Sequence, residues 1–161
     1  MSKTYNVLFL CTANSARSVM SEGLLNVLGN ERFHAYSAGS HPSGRVNPFA
    51  IELLDKIGYD TSKLYSKSWD EFETPDAPKM DLVITVCDNA KGETCPIWPG
   101  HPITAHWGYE DPHGNTDEEK RASFGKIFLQ IKRRVELLVS LPDDKIEHLT
   151  SIRAIGESKV D

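Results

Sequence analysis

The sequence predicts an α/β fold in which a parallel sheet is covered by helices on both faces. Short apolar segments alternate with segments of helical periodicity, which is the pattern of strand–helix–strand units. Residues 82–86 are apolar on both faces and largely β-branched, as in a buried parallel strand. With 161 residues, of which 39% are hydrophobic, the chain is long enough for one core, so we expect a single domain over residues 1–161.

The predicted elements alternate along the chain, and turn signals delimit them. The pair Gly29–Asn30 ends the first helix, Pro48 begins the second, and the capping-box pattern from Thr116 to Glu119 begins the third. Residues 59–79 are predicted to form a long loop, and residues 143–161 a tail with a short helix. Strands are predicted at residues 5–10, 33–37, 82–86 and 102–106, and helices at residues 17–28, 47–58 and from 116 to near Pro142.

The composition excludes several classes of protein. Lysine and arginine number 18 and acidic residues 23, a net charge of -5, whereas nucleic-acid binders usually carry a basic patch. No segment has the length of a membrane span, and the first residues lack a signal peptide, which predicts a cytoplasmic protein without membrane or nucleic-acid partners. In such a reducing compartment, three cysteines are typical of catalysis or metal binding rather than of structural disulfides.

The segment between Cys11 and Ser18 is the most informative in the chain. It lies between the first predicted strand and the first helix, where backbone N–H groups and the helix N-terminus attract anions. Arg17 can bind two oxygens of a tetrahedral anion, and Cys11 in that field is expected to have a lowered pKa and to be a thiolate. The alternative is a buried thiol beside a surface arginine. The predicted oxyanion-binding residues are Thr12, Ala13, Asn14, Ser15, Ala16, Arg17 and Ser18.

Cys87 and Cys95 are separated by seven residues in a polar segment, and three interpretations remain open. They form a redox pair, they are half of a zinc site completed by His101 or His106, or they are a strand-end thiol and a loop thiol. The spacing matches neither a zinc knuckle nor a two-residue redox motif, so we expect no bound metal.

Asp111 precedes a proline, and Pro112 restricts it to an extended conformation. That conformation can direct the carboxyl group toward the cysteine loop, where it would serve as a general acid. The alternative is an ordinary Asp-Pro turn. Cys11, Cys87 and Asp111 follow the first, third and fourth predicted strands, whose carboxyl ends share one edge of a parallel sheet. The sequence therefore predicts that these three residues converge.

Several motifs together resemble the arsenate reductases built on the low-molecular-weight protein tyrosine phosphatase fold, and the match runs from about residue 5 to residue 141. The resemblance implies a three-layer sandwich with a four-stranded parallel sheet. The motifs are the cysteine loop at 11–18, Tyr36-Ser37-Ala38-Gly39, Val86-Cys87-Asp88, Cys95-Pro96 and the segment from His106 to Pro112.

The resemblance also implies a mechanism. Cys11 would attack arsenate, held by Arg17 and the loop amides, with Asp111 as general acid. Cys87 would then attack Cys11 and release arsenite, and Cys95 would resolve the resulting disulfide. Phosphate or sulfate would compete with arsenate. No cofactor would be bound, and an external donor would supply the electrons.

The donor and a cation site remain open under this resemblance. In thioredoxin-coupled members the two later cysteines lie one residue closer together, and other relatives use glutathione and glutaredoxin. Some members bind potassium near the cysteine loop, and Asn14 and Ser37 match two of its ligands. Lys67 stands where a carboxylate is expected.

Two other functions remain open. A tyrosine phosphatase of the same fold would use Cys11, Arg17 and Asp111 alone, but such phosphatases usually carry aromatic residues after the Asp-Pro pair, where this chain has His113 and Gly114. A non-catalytic oxyanion or arsenite sensor would need no general acid and more often carries a DNA-binding segment.

Overall fold

The computed structural model of this chain describes residues 4–87 and 102–158. It contains four strands and five α-helices, with short 3-10 turns at Asn30–Arg32, Thr61–Lys63 and Trp69–Phe72. The last two turns lie in the segment predicted to be a loop. The strands are β1 (Tyr5–Cys11), β2 (Phe33–Gly39), β3 (Leu82–Thr85) and β4 (Ile103–His106), and the helices are α1 (Arg17–Leu28), α2 (Pro48–Lys56), α3 (Asp117–Val139), α4 (Asp143–Ile146) and α5 (Leu149–Glu157).

The four strands form one parallel sheet in the order β2-β1-β3-β4, which confirms the predicted fold class. The register pairs Cys11 with Gly39 and Thr85 with His106, so the carboxyl ends of all four strands lie at one edge. The cysteine loop leaves β1 at this edge, and Cys87 and Asp111 follow β3 and β4 there.

Local signals in the sequence account for the helix starts. The Asn47 side chain accepts a hydrogen bond from the Phe49 N–H at the start of α2, with Pro48 as its first residue. Thr116 caps α3 by accepting from the Glu119 N–H, and the Glu119 carboxylate accepts from the Asn115 N–H. The first bond is the one that the predicted capping box requires, whereas the second comes from the residue before the N-cap instead of from the Thr116 N–H.

Alternate residues of β1 point to opposite faces of the sheet and enter different cores. Val7 and Phe9 belong to the larger core, which also contains residues of α1, α2 and α3 and receives Ile152 from α5. Leu8 and Leu10 pack on the other face, where Phe72 of a 3-10 turn and Met80 cover them. Because β1 is buried on both faces, it provides a rigid base for the cysteine loop that follows it.

The predicted tail carries α4 and α5. Ile146 is fully buried in α4, and Ile152 and Ile155 of α5 pack into the larger core. Among the described residues, no helix combines the length and apolar composition needed to cross a membrane.

Candidate functional site

The backbone of the cysteine loop presents its amides to a potential ligand because its carbonyl oxygens are engaged elsewhere. The carbonyls of Thr12, Ala13 and Ser15 accept hydrogen bonds from the backbone N–H groups of His41, Ser43 and Asn47 at 2.9, 3.0 and 2.8 Å. When successive carbonyls turn outward in a tight loop, the N–H groups are left on the inner side, where they can bind an anion.

Asn14 holds the centre of this loop. It has a φ of 49°, a left-handed conformation that asparagine tolerates better than most residues. Its buried side chain donates to the Ser18 hydroxyl at 2.9 Å and accepts from the Lys67 N–H at 2.9 Å. Ser18, one of the predicted oxyanion-binding residues, therefore also fixes the Asn14 side chain through its hydroxyl oxygen.

Helix α1 begins with its donors uncapped. Its N-cap residue is Ala16, whose side chain has no group that could accept a hydrogen bond, and its first turn holds no acidic residue. Its first N–H groups therefore lack the partners that a capping side chain supplies at most helix starts. A tetrahedral anion bound in the loop would satisfy them and would lie at the positive end of the helix dipole.

Gly39 explains why the resemblance includes a glycine at the end of β2. A Cβ atom at this position would lie 2.4 Å from the Thr12 carbonyl oxygen and 3.0 Å from the Asn14 nitrogen. The Gly39 N–H also donates to the Lys67 carbonyl at 2.9 Å. Any side chain here would displace the cysteine loop, so the loop requires the glycine.

Arg17 contacts the segment that carries Asp111. One of its terminal nitrogens donates to the Tyr109 carbonyl at 2.9 Å, and the other lies 3.6 Å from an Asp111 carboxylate oxygen. The Arg17 side chain is 16% exposed and that of Asp111 is 80% exposed. The Asp111 carboxyl group therefore lies beside the arginine of the cysteine loop and is open to solvent.

Cys11 and Cys87 are both buried, neither is in a disulfide, and their thiols lie within hydrogen-bonding reach of each other. Cys87 also lies 3.8 Å from the Thr12 hydroxyl oxygen. The predicted lowering of the Cys11 pKa is wrong for this arrangement. The hydrogen bond with Cys87 and burial raise the pKa of Cys11, and Arg17 and the Thr12 backbone lower it by less. Two buried sulfurs in contact cannot both carry a negative charge, so the pair retains a proton.

A cavity of about 590 Å³ opens beside the cysteine loop. Ser15 of the cysteine loop lines it, Arg45, Lys120 and His113 supply polar groups, and Phe49 and Phe124 supply two aromatic rings. Their ring centroids are 5.5 Å apart. This chain has no aromatic residue directly after Pro112, but Phe49 of α2 and Phe124 of α3 place aromatic rings beside the loop.

A buried charged cluster supports the loop from behind. The Lys67 ammonium donates to the Ser37 carbonyl at 3.1 Å and lies 4.0 Å from the Glu22 carboxylate, which accepts from the Ser37 hydroxyl at 2.5 Å. Burial raises the pKa of Glu22 and lowers that of Lys67. Because the lysine places its own cation beside Glu22 and Ser37, these residues do not fit a potassium site.

Other predicted residues have different surroundings. Cys95 and His101 lie outside the described residues, so the interpretations that involve them stay predictions. His106 Nδ1 lies 2.7 Å from the Thr85 hydroxyl, and Trp107 is fully buried with its indole N–H donating to the Ile152 carbonyl. Within residues 4–87 and 102–158, no group of three or more His, Cys, Asp or Glu side chains is arranged to bind a metal.

Sequence reasoning missed two buried charges near the site, Glu22 and Arg134. Arg134 falls on the apolar stripe of α3, seven residues after Ile127 and three after Ile131. A charged residue on such a stripe is a usable signal, because burying it demands specific partners.

The family model described as low molecular weight phosphotyrosine protein phosphatase matches residues 6–150. An arsenate reductase of Halalkalibacterium halodurans is 38% identical over 132 residues, which cover 81% of this chain and 91% of that protein.

Two solved structures show the same similarity. An arsenate reductase in its phosphate-binding state has a TM-score of 0.66 and 34% identity, covering 85% of this chain and 98% of the other. A thioredoxin-dependent arsenate reductase of Corynebacterium glutamicum has a TM-score of 0.53 and 25% identity, covering 84% of this chain and 64% of the other.

Proposed function

Because the chain belongs to the low molecular weight phosphotyrosine protein phosphatase family, we propose that it uses the family's cysteine loop to reduce arsenate to arsenite. The observation that carries this proposal is the hydrogen-bonding contact between the thiols of Cys11 and Cys87. A phosphatase needs one cysteine, since water hydrolyses its covalent intermediate, whereas a reductase needs a second thiol beside the first. The arsenate reductases among its relatives support the same choice of substrate.

The first step forms a bond between the Cys11 sulfur and arsenic. The loop amides and Arg17 hold the arsenate oxygens, and one oxygen leaves as water with a proton supplied by Asp111. Arg17 lies close enough to Asp111 to bring this acid to the leaving oxygen. Cys11 attacks as a thiolate, a form that Arg17 and the Thr12 backbone favour and that Cys87 opposes, and the proton of the Cys11 thiol passes to an oxygen of the bound arsenate.

The second step transfers the electrons. The Cys87 sulfur attacks the Cys11 sulfur, a disulfide forms, and the sulfur–arsenic bond breaks with its electron pair remaining on arsenic. Arsenic thereby passes from the pentavalent to the trivalent state, and the two thiols lose two electrons. Cys95 then attacks this disulfide and passes it to an external donor.

For the donor we propose a thioredoxin-type or glutaredoxin-type protein. The third cysteine supports the first of these, because a relay that carries the disulfide away from a buried pair suits a protein reductant. The thioredoxin-dependent relative points the same way. We place the reaction in the cytoplasm, since the mechanism requires Cys11 and Cys87 as free thiols.

The test is arsenite production from arsenate with thioredoxin and its reductase, compared with glutaredoxin and glutathione. Cys87→Ser should stop multiple turnover, and Cys95→Ser should trap a Cys11–Cys87 disulfide that peptide mass mapping detects. Full turnover by the Cys87→Ser, Cys95→Ser double variant with thioredoxin would refute the internal relay. Turnover of that variant with glutathione and glutaredoxin alone would move the resolving thiol from the protein to the donor.

A second candidate function is hydrolysis of aryl phosphates, and one observation favours it. Phe49 and Phe124 provide an aromatic wall beside the loop, where the ring of a phosphotyrosine would lie. Cys87→Ser separates the two activities, because it leaves Cys11, Arg17 and Asp111 in place for hydrolysis. If the parent protein hydrolyses a small aryl phosphate but yields no arsenite with either donor, phosphatase replaces reductase as the function.

A further inference from the structure

Arg134 is a buried cation that the proposed chemistry does not use. It is 5% exposed, and it lies on α3 outside the cysteine loop. Its guanidinium donates to three carbonyl oxygens, those of Gly108 at 3.0 Å, Gly156 at 2.9 Å and Ser158 at 3.1 Å. It also lies over the Tyr109 ring, 4.9 Å from the centroid. No carboxylate of the described residues forms an ion pair with it, so these carbonyls and the ring stabilise its charge.

The partners of Arg134 belong to two different parts of the chain. Gly156 and Ser158 lie at the C-terminal end of α5, where helix carbonyls lack intrahelical partners and the dipole favours a cation. Gly108 lies in the segment that joins β4 to Asp111. Arg134 therefore ties the end of α5 to the segment that contacts Arg17. Most of α5 lies beyond residue 150, where the family match ends.

The peptide unit between Gly108 and Tyr109 is held at both of its polar atoms. Arg134 binds its carbonyl, and its N–H donates to the Val86 carbonyl at 3.3 Å. The next carbonyl in the chain, that of Tyr109, is the acceptor for Arg17. A guanidinium is planar, so fixing one of its nitrogens restricts the directions in which the others can donate.

Helix α5 is packed too closely to shift without moving this segment. A Cβ atom on Gly156 would lie 2.3 Å from the His106 carbonyl oxygen and 2.6 Å from a Trp107 ring carbon. The Trp107 indole N–H donates to the Ile152 carbonyl at 3.0 Å. The helix thus contacts the residues immediately before Gly108 as well as Arg134.

We propose that Arg134 and α5 position Arg17 for oxyanion binding by holding the Gly108–Tyr109 backbone that orients its guanidinium. Arg134 touches neither the loop nor a bound anion, so it is a positioning residue. This inference rests on the proposed role of Arg17 in binding the anion. Small displacements of a positioning contact have large effects on a reaction, because the bound geometry must be nearly reactive.

The test measures the dissociation constant for inorganic phosphate in Arg134→Met, with Lys126→Met as the control on the exposed side of the same helix. We expect the constant to rise about tenfold in Arg134→Met, as when one charge-assisted hydrogen bond is loosened, and to stay within about twofold in the control. Arg134→Lys should bind phosphate almost as weakly as Arg134→Met, since an ammonium cannot span the three carbonyls. Gly156→Ala leaves the Arg134 side chain intact but displaces the end of α5 whose carbonyls it binds, and it should weaken phosphate binding in the same direction.

Melting temperatures separate positioning from stability. A variant that melts at a lower temperature but binds phosphate as the parent does, when measured well below its midpoint, would show that Arg134 is only structural. If neither variant folds, hydrogen exchange on the parent protein decides. Phosphate should slow exchange in the α5 peptide, because coupling between two sites is reciprocal. Unchanged exchange in that peptide would overturn the proposal.

The Arg17→Lys variant distinguishes failure of this inference from failure of the function on which it rests. If Arg17→Lys binds phosphate like the parent, the proposed role of Arg17 is wrong. If Arg17→Lys binds weakly while Arg134→Met and Gly156→Ala bind normally, Arg17 keeps its role and the inference about α5 fails.

Discussion

At the scale of single residues, the site depends on charges and thiols whose chemistry is set by their immediate neighbours. Cys11 has Arg17 to lower its pKa, but the Cys87 thiol and burial raise it by more. In the free protein this pair therefore keeps a proton between the two sulfurs. Such an arrangement protects both thiols from reagents that attack thiolates.

Replacing Cys87 with alanine should lower the pKa of Cys11. The variant removes the hydrogen bond and the neighbouring charge that raise it, and it leaves Arg17 in place. The measurement is the pH dependence of Cys11 alkylation, read by peptide mass mapping, with Cys95→Ala as the control. The alkylation profile should move to lower pH in Cys87→Ala and not in the control. A profile that stays in place would mean that burial alone raises the pKa.

Asp111→Asn should slow arsenate turnover by about 10²–10⁴-fold, the usual contribution of a general acid. Asparagine keeps the size of the side chain but cannot deliver a proton to the leaving oxygen. Glu110→Gln is the matched control, because Glu110 is an exposed neighbour in the same segment. Turnover is measured at saturating donor. Equal rates in the parent and Asp111→Asn, with the chemical step limiting, would reduce Asp111 to a turn residue.

The buried pair of Glu22 and Lys67 predicts a non-additive effect on stability. Lys67→Met leaves the Glu22 carboxylate buried without its cation, and breaking a buried pair in this way costs about 3–5 kcal/mol. The Glu22→Gln, Lys67→Met double variant should lose less unfolding free energy than the single variant Lys67→Met, because no unpaired carboxylate remains buried. Urea unfolding of both variants and the parent measures the difference.

The same pair predicts a dependence on pH. Burial already raises the pKa of Glu22, and loss of Lys67 raises it further, because the lysine lowers it in the parent. A group with a raised folded-state pKa contributes stability that is lost as pH rises through that value. Lys67→Met should therefore approach the stability of the parent at acidic pH and fall behind it near neutrality. If Lys67→Met is less stable than the parent by the same amount at every pH in this range, ionisation of Glu22 is not the cause of its lower stability.

At the scale of secondary-structure elements, close approach between helices holds the cysteine loop in place. Gly23 faces α2, and a Cβ atom there would lie 2.4 Å from a methyl carbon of Leu54, which is fully buried. Helix α1 presents its uncapped start to the loop, so its position relative to α2 and the sheet determines where those N–H groups point. The packing of α1 is thus part of the anion site.

Gly23→Ala and Gly125→Ala should have opposite effects on stability. Alanine at Gly23 overpacks the contact with Leu54, which typically costs about 1–3 kcal/mol. At Gly125 in α3 no neighbouring atom lies within 4 Å of the added carbon, so alanine should gain about 0.5–1 kcal/mol from helix propensity. Thermal unfolding of the two variants is the measurement. Equal effects of both would show that α1 and α2 have room to adjust.

At the scale of the whole molecule, a net charge of -5 means that an anionic substrate is captured against the average field of the protein. The loop amides, the start of α1 and Arg17 supply the opposing local field. Since these groups converge only in the folded state, an oxyanion should bind the folded protein and not the unfolded chain.

Phosphate or sulfate should therefore raise the unfolding free energy of the whole protein. At a concentration 100 times the dissociation constant, the gain is about 2.7 kcal/mol. The measurement is a thermal shift across phosphate concentrations, with sodium chloride at equal ionic strength as the control. Arg17→Lys should lose most of the phosphate-dependent shift, because an ammonium cannot bind two oxygens of the anion as a guanidinium does. A chloride response of the same size would indicate screening instead of binding.

The sequence by itself determined the fold class and which segments end at the edge of the sheet where the candidate site lies. Periodicity and turn residues act locally, so the strands, the caps at Asn47 and Thr116, and the order of Cys11, Cys87 and Asp111 at strand ends could be read from the chain. Parallel pairing then brings those ends to one edge, whatever loops connect them.

Only the tertiary structure decided how the site is charged and supported. The pKa of Cys11 was predicted in the wrong direction because its largest influence, Cys87, is 76 residues away in the chain and adjacent in space. Lys67 beside Glu22 and Arg134 beside Gly108 likewise depend on packing between distant segments. Electrostatic effects follow distance and burial, and neither is encoded in the spacing of residues along a sequence.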